Sequence, residues 1–200
     1  MIADEIRAIS QAGLGWSADA PYDRDRYERL LHAAAQLFAL VDERDVDEIE
    51  RTVFTQLTHL APVPVADAAI VGDDGRIFLI QRADNGLWAL PGGMLEMGET
   101  PAEGALREAR EEAGIVAEGV DLIGVFDSRL HDSRSALQLY AFVFLCRQVG
   151  TVEASTPHEV HDGRWFARDE LPPLSPGHGA KVPHVFEFLE HRRPHFDVPG

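Results

Sequence analysis

Three glutamates, Glu108, Glu111 and Glu112, stand at i, i+3 and i+4 within the segment GGMLEMGETPAEGALREAREEAGI, residues 92–115. On a helix that spacing places all three carboxylates on one side. Like charges so close repel by roughly a few tenths of a kcal/mol per pair, and a divalent cation relieves the repulsion. Hard oxygen donors suit Mg²⁺, with Mn²⁺ as an alternative, better than zinc. Mg²⁺ is commonly shared between carboxylates, waters and substrate phosphates, so the residue types point to phosphoryl chemistry. A run of charges on a helix is more often only a solvated face. What shifts the balance here is the flanking chain: Gly92-Gly93 after a short apolar stretch, then an acidic loop ending at Glu99. A plain surface helix needs neither.

The helix that must carry these acids is legible on its own terms. Thr100 is a good N-cap, Pro101 fits the first helical position, and Glu103 completes a capping box. Gly114 supplies the C-terminal stop. Ala102, Ala105, Leu106, Ala109 and Ala113 recur at helical spacing and are expected to pack on a sheet, with the glutamates on the side away from that stripe.

Gly93, then Glu99 after five residues, then Arg107-Glu108-Ala109-Arg110-Glu111-Glu112-Ala113-Gly114-Ile115 after seven more, resembles a complete Nudix box. At average residue frequencies a chance match somewhere in the chain is on the order of one in a million. The one departure is Ala109, where the family often carries a bulkier aliphatic residue. The resemblance implies an α/β fold, a Nudix α/β/α sandwich with a mixed sheet, and hydrolysis of a diphosphate linkage. It implies Glu108, Glu111 and Glu112 as metal ligands, joined by the Gly93 carbonyl. It also implies Arg107 as the residue that orients the glutamates and Glu99 as the loop acid that supports it. The general base in this family is either a box glutamate or an acid on a distant loop. Glu159, six residues before Trp165, is the better loop candidate and Glu153 the second.

The first 60 residues are expected to be helical: Ile2 to about Gly13, Arg24 to Val41, and Asp45 to Phe54. Ala61-Pro62-Val63-Pro64 is extended, because proline disfavours helix in its predecessor, and divides a helical domain (1–60) from the catalytic domain (61–200). Glu5-Ile6, Gln11-Ala12-Gly13-Leu14 and Tyr22-Asp23-Arg24-Asp25-Arg26-Tyr27 resemble the N-terminal domain of a Nudix subgroup that hydrolyses X-linked nucleoside diphosphates, including the CDP-choline pyrophosphatase type. Gly124-Val125-Phe126-Asp127-Ser128-Arg129 is similar to the same subgroup. The resemblance implies a homodimer that yields a nucleoside monophosphate and a phospho-X product. Three short helices cannot bury a large core alone, which independently favours packing on a second copy or on the catalytic domain.

Strands are expected at Val65–Val71 and Ile77–Gln81, joined by the turn Gly72-Asp73-Asp74-Gly75. Others are expected at Leu87–Leu90, Leu122–Phe126, Leu137–Cys146 and up to Phe166, with a closing helix over Val182–His191 that tolerates Pro183 in its first turn. Arg82, Phe126 and Arg129 are the candidates for substrate binding, and Trp88, Tyr140 and Phe142 are more simply strand aromatics. His131, His158 and His161 have no zinc-motif spacing and stay unassigned. The net charge of −16 from 18 basic and 34 acidic residues argues against tight nucleic-acid binding. Cys146, the only cysteine, cannot form an internal disulfide. No apolar run is long enough to span a membrane, and a cytoplasmic location is expected. Competing substrates are ADP-ribose, another nucleoside diphosphate sugar, or an oxidised nucleoside triphosphate. A catalytically silent nucleotide-binding module is the alternative of another class.

Overall fold

The computed structural model describes residues 2–16, 20–40, 44–51, 62–133, 138–156 and 158–198. The chain forms two compact units, Met1–Ala61 and Pro62–Gly200.

In the first unit, α1 (Ile2–Trp16), α2 (Pro21–Phe38) and α3 (Val46–Ile49) follow one another. Pro21 opens α2, where its missing N–H costs nothing. The Asp45 side chain accepts the Glu48 N–H and so starts α3. Ala34, Ala35 and Ile49 form a small buried cluster with Ile6, Leu31 and Phe38 around them. Helix α1 does not end at Gly13 but passes through it. A Cβ there would lie 2.3 Å from the Tyr27 ring of α2, so this glycine is a close-approach point between helices rather than a stop. The last residues of the expected third helix, 52–54, lie outside the described residues.

The second unit is a mixed sheet with a helix on each face. Its elements are β1 (Val63–Val71), β2 (Ile77–Arg82), β3 (Trp88–Ala89), β4 (Gly92–Met94), α4 (Pro101–Ala113), β5 (Ile115–Asp127), β6 (Leu139–Thr151), β7 (Val160–Phe166), α5 (His178–His191) and β8 (His195–Phe196). The strand order is β3-β2-β1-β6-β5-β8, with β4 on β1 and β7 on β2. The β1–β6 and β5–β8 pairs are parallel and the rest antiparallel. Leu137 lies outside the described residues, and β6 begins at Leu139.

Strand β1 explains the layering. Ala66, Ala68 and Ile70 face one way and pack with Ala105 and Ala109 of α4. Val65 and Ala69 face the other way, toward Val182, Val185 and Phe186 of α5. The alanines on the α4 side let helix and sheet approach closely. On the α5 side, larger side chains such as Leu79 and Leu90 are fully buried, each worth about 1.5–3 kcal/mol relative to exposure. Helix α5 starts four residues earlier than its apolar pattern suggests, so Pro183 lies in its second turn.

Candidate active site

The capping residues of α4 set its rotation and therefore where its acids point. Thr100 Oγ1 accepts the Glu103 N–H, and the Glu103 carboxylate accepts the Thr100 N–H at 2.7 Å. At the other end Gly114 adopts a left-handed φ of 63°, and a Cβ there would meet the Val152 carbonyl oxygen at 2.6 Å. Between these ends the buried face is Gly104, Ala105, Glu108, Ala109 and Glu112. Glu108 and Glu112 therefore share the inward face with the alanines instead of lying away from it. The i, i+3, i+4, i+7 set 105, 108, 109, 112 holds two methyl groups and two carboxylates, and both carboxylates sit against the glycines of β4.

Arg107 organises the acids. Its guanidinium donates to Glu99 through Nε (3.1 Å) and Nη2 (2.9 Å). It also donates to Glu108 (2.8 Å), Glu111 (3.1 Å) and the Met94 carbonyl (3.0 Å). Glu99 in turn accepts the Glu96 N–H, fixing the loop before α4. The Arg107 hydrogen bonds hold the Glu99 carboxyl below its ordinary range. Burial pushes Glu108 up despite Arg107. Glu112 is pushed up to about 7, first by burial and then by the Glu108 and Glu159 charges, against the Gly92 N–H that it accepts at 2.9 Å.

The two glycines are seam residues. A Cβ on Gly92 would lie 2.3 Å from an Asp67 oxygen, and one on Gly93 would lie 2.4 Å from Glu108 Oε1. At Gly92 the backbone of β1 also bars a side chain, with the Ala66 carbonyl oxygen 2.7 Å from that Cβ position.

Glu159 is brought to the same place by its loop. The Ser155 and Thr156 N–H groups donate to the Glu111 carbonyl, tying the β6–β7 connection to α4. The Ala83 N–H donates to the Glu159 carbonyl. Among the described residues the half-exposed side chain makes a single charged contact, at 3.6 Å to His158, yet its charge is felt at Glu108, Glu112 and Arg82. Glu153 lines a second hollow with Arg107, Arg110 and Glu111.

A cavity of about 520 Å³ opens on the α5 side of β4, lined by Gly92, Gly93, Arg82, Phe126, Asp67 and Lys181 among others. Arg82 pairs with Asp84 (2.7 Å) at its edge, and Phe126 is almost fully buried in its wall. Arg129 is not among the lining residues; three hydrogen bonds engage its exposed guanidinium with Asp127, held down to about 2 by that arginine. Sequence reasoning overlooked Lys181, whose Nζ donates to Asp67 at 2.7 Å with both side chains buried. It also overlooked His178, whose Nδ1 accepts the Leu90 N–H at 3.3 Å. The available signal was Asp67 itself, one charge inside an apolar strand, which must find a partner. Burial, and then the Lys181 charge, lower the His178 pKa well below its ordinary value. His158 and His161 do not join His131 in any group able to hold a metal among the described residues; His131 meets His195 and Asp197 instead.

The NUDIX domain model matches residues 61–186, more than half of the chain. The protein belongs to the Nudix family. As a Nudix hydrolase it is an enzyme that acts on phosphoric anhydride bonds. Residues 1–53 match a second model, the UDP-X-like N-terminal oligomerisation domain, which places the chain in the subgroup with a helical N-terminal domain. Among relatives, this Nudix hydrolase is 36% identical to YjhB of Bacillus subtilis (strain 168), provisionally named an ADP-ribose pyrophosphatase, over 94% of this chain and 91% of that one. It is 33% identical to the ADP-ribose pyrophosphatase of Methanocaldococcus jannaschii over 60% and 70% of the two chains. The crystal structure of a UDP-X diphosphatase superposes with a TM-score of 0.62 at 29% identity, covering 98% of this chain and 95% of the other. No described helix is long and apolar enough to cross a membrane.

Proposed function

We propose that this Nudix hydrolase is a Mg²⁺-dependent pyrophosphohydrolase. It cleaves the diphosphate bond of an X-linked nucleoside diphosphate, CDP-choline-like in form, into a nucleoside monophosphate and a phospho-X product. The observation that carries the reading is the α4 carboxylate cluster held against Gly92-Gly93, two residues that also line the cavity, in a chain with an N-terminal domain of the UDP-X type.

The donor set fits a hard divalent cation. Glu108, Glu111, Glu112 and Glu159 are oxygen donors, and Arg107 cannot neutralise all of them while also serving Glu99. Glu108, Glu111 and Glu112, with the Gly93 carbonyl, would hold the ion. When bound, it neutralises phosphoryl charge and acidifies water. The protein does the rest. Arg107 and Glu99 keep the α4 carboxylates in register, and the Gly92 N–H fixes Glu112. Glu159 is proposed as the general base, because among the described residues its carboxylate has no partner nearer than His158 at 3.6 Å and can take a proton from the attacking water. The water oxygen bonds to one phosphorus, the bridging oxygen leaves on the other phosphate, and the proton passes to Glu159. Arg82, Phe126 and Lys181 line the space for the nucleoside diphosphate, and the exposed Arg129 sits beyond it.

The N-terminal unit is proposed as the dimer contact. Ile2, Ile9, Leu30, Leu37 and Leu40 are exposed apolar residues in it, as a second copy would require. ADP-ribose is the second reading, supported by the names of two relatives. A substrate panel with Mg²⁺ tests both: CDP-choline, UDP-sugars, ADP-ribose and 8-oxo-dGTP, with products separated by chromatography. Nucleoside monophosphate and phosphocholine formed fastest from CDP-choline uphold the reading. Preferred cleavage of ADP-ribose or of the triphosphate would overturn it.

A further inference from the structure

Outside the α4 cluster, three side chains from the C-terminal end and one turn converge on a single point. His131 follows the short helical turn Ser128–Leu130 after β5, His195 lies on β8, and Asp197 follows it. His131 Nε2 is 2.8 Å and His195 Nε2 3.0 Å from the same oxygen, Asp197 Oδ1. One potential ligand atom from each lies within 4.8 Å of the others. His131 and Asp197 are 66 residues apart in the chain, so only the fold brings them together.

The surroundings hold the three in place. Asp197 Oδ2 accepts the Asp127 N–H at 2.6 Å, which orients the carboxylate; His131 Nε2 also stands 2.9 Å from Oδ2, so Oδ1 is the oxygen that both imidazoles share. The His195 ring stacks on buried Phe126, centroids 4.6 Å apart at 20°. Gly124 of β5 admits β8, since a Cβ there would lie 2.7 Å from the His195 carbonyl oxygen. His131 and Asp197 are both about 15% exposed at the side chain, enough for an ion to enter and for water to complete its shell.

We infer that His131, His195 and Asp197 form a second metal site, on the α5 face of the sheet, for a divalent transition ion of the Zn²⁺ type. Two imidazole nitrogens select such an ion over Mg²⁺. A hydrogen-bonded clasp needs only one histidine on the carboxylate. Two rings aiming the same atom, Nε2, at one oxygen form the convergent set that a cation draws together, with Zn–N distances of about 2.0–2.1 Å. The Asp127 N–H acts as the outer support that ligating carboxylates usually have. The ion would tie β8 to the turn carrying His131, and His131 lines the cavity, so it would stiffen that wall. The site shares no residue with the α4 glutamates and does not depend on the proposed substrate.

The test uses the full chain, freed of metal by chelation and dialysis, in buffer with excess Mg²⁺ to fill oxygen-only sites. Co²⁺ is then added as a spectroscopic probe. Wild type and Glu112→Gln should each take up one equivalent with visible d–d absorption that Zn²⁺ abolishes. His131→Ala and Asp197→Asn should lose the absorption, and should also lose the rise in melting temperature that Zn²⁺ gives the wild type. Absence of the band in wild type, or its loss in Glu112→Gln with retention in His131→Ala, would overturn the site. X-ray absorption on Zn²⁺-loaded wild type decides the matter if a variant fails to fold. A shell containing two imidazoles upholds the assignment, and an all-oxygen shell refutes it.

Discussion

Replacing Arg107 by methionine removes the fork that serves Glu99, Glu108 and Glu111 while keeping most of the side-chain volume. The Glu99 and Glu108 side chains are only 13% and 12% exposed, so both lose their cation in a poorly solvated place. Breaking a buried pair from one side costs about 3–5 kcal/mol. The penalty is capped because an orphaned carboxylate can take up a proton, at about 1.36 kcal/mol for each unit its pKa lies below the pH. For a domain of this size about 1 kcal/mol corresponds to roughly 2–4 °C in melting temperature, so Arg107→Met should melt roughly 6–20 °C lower near neutral pH. The sign of the pH dependence follows from Glu99, whose folded pKa Arg107 depresses. That contribution is present above the unfolded value, about 4.3, and is lost as pH falls through the folded one. The gap between variant and wild type should therefore be widest near neutrality and shrink in acid. Differential scanning calorimetry across that range, without divalent ions, makes the comparison. A variant that melts within about 2 °C of wild type at neutral pH, or a gap that grows in acid, would refute the role given to Arg107.

Two further perturbations read the buried charges behind the cavity. His178 has a folded pKa well below its unfolded value, so the wild type binds fewer protons folded than unfolded below about pH 6.5. It should lose about 1.36 kcal/mol per pH unit there until the folded pKa is reached. His178→Gln should flatten that limb of a urea-denaturation series, and an unchanged slope would show that His178 is protonated in the fold. Lys181→Met strands Asp67, and the variant should lose about 3–5 kcal/mol. Pairing it with Asp67→Leu should restore most of that stability, and a double variant no better than the single would show that the loss does not come from the stranded Asp67 charge.

The α4 segment was legible because its signals are local. Capping residues, the glycine stop and the i, i+3, i+4 acids all act within a few residues, and the structure has each of them in place. The rotation of that helix was less so. Periodicity alone put the glutamates opposite the alanines, and only the bare backbone of Gly92-Gly93 against α4 explains how carboxylates share the inward face. Gly13 read as a helix stop because its partner, Tyr27, belongs to another helix. Lys181 and His178 passed unnoticed because their partners, Asp67 and the Leu90 N–H, lie about 90 or more residues away in sequence. The same is true of His131 with Asp197. Long-range pairing leaves no local mark beyond an unexplained charge in an apolar run, and Asp67 was such a mark.

The measurement that bears most directly on the central claim is single-turnover hydrolysis of the best substrate with saturating Mg²⁺, wild type against Glu112→Gln, with products followed by ³¹P NMR. Even outer supports of metal ligands cost about 10–100-fold when removed. The account therefore predicts a loss of at least about 100-fold in the variant with its melting temperature preserved, and a nucleoside monophosphate as the wild-type product. Equal rates in the two proteins, or a product in which the diphosphate is intact, would contradict it.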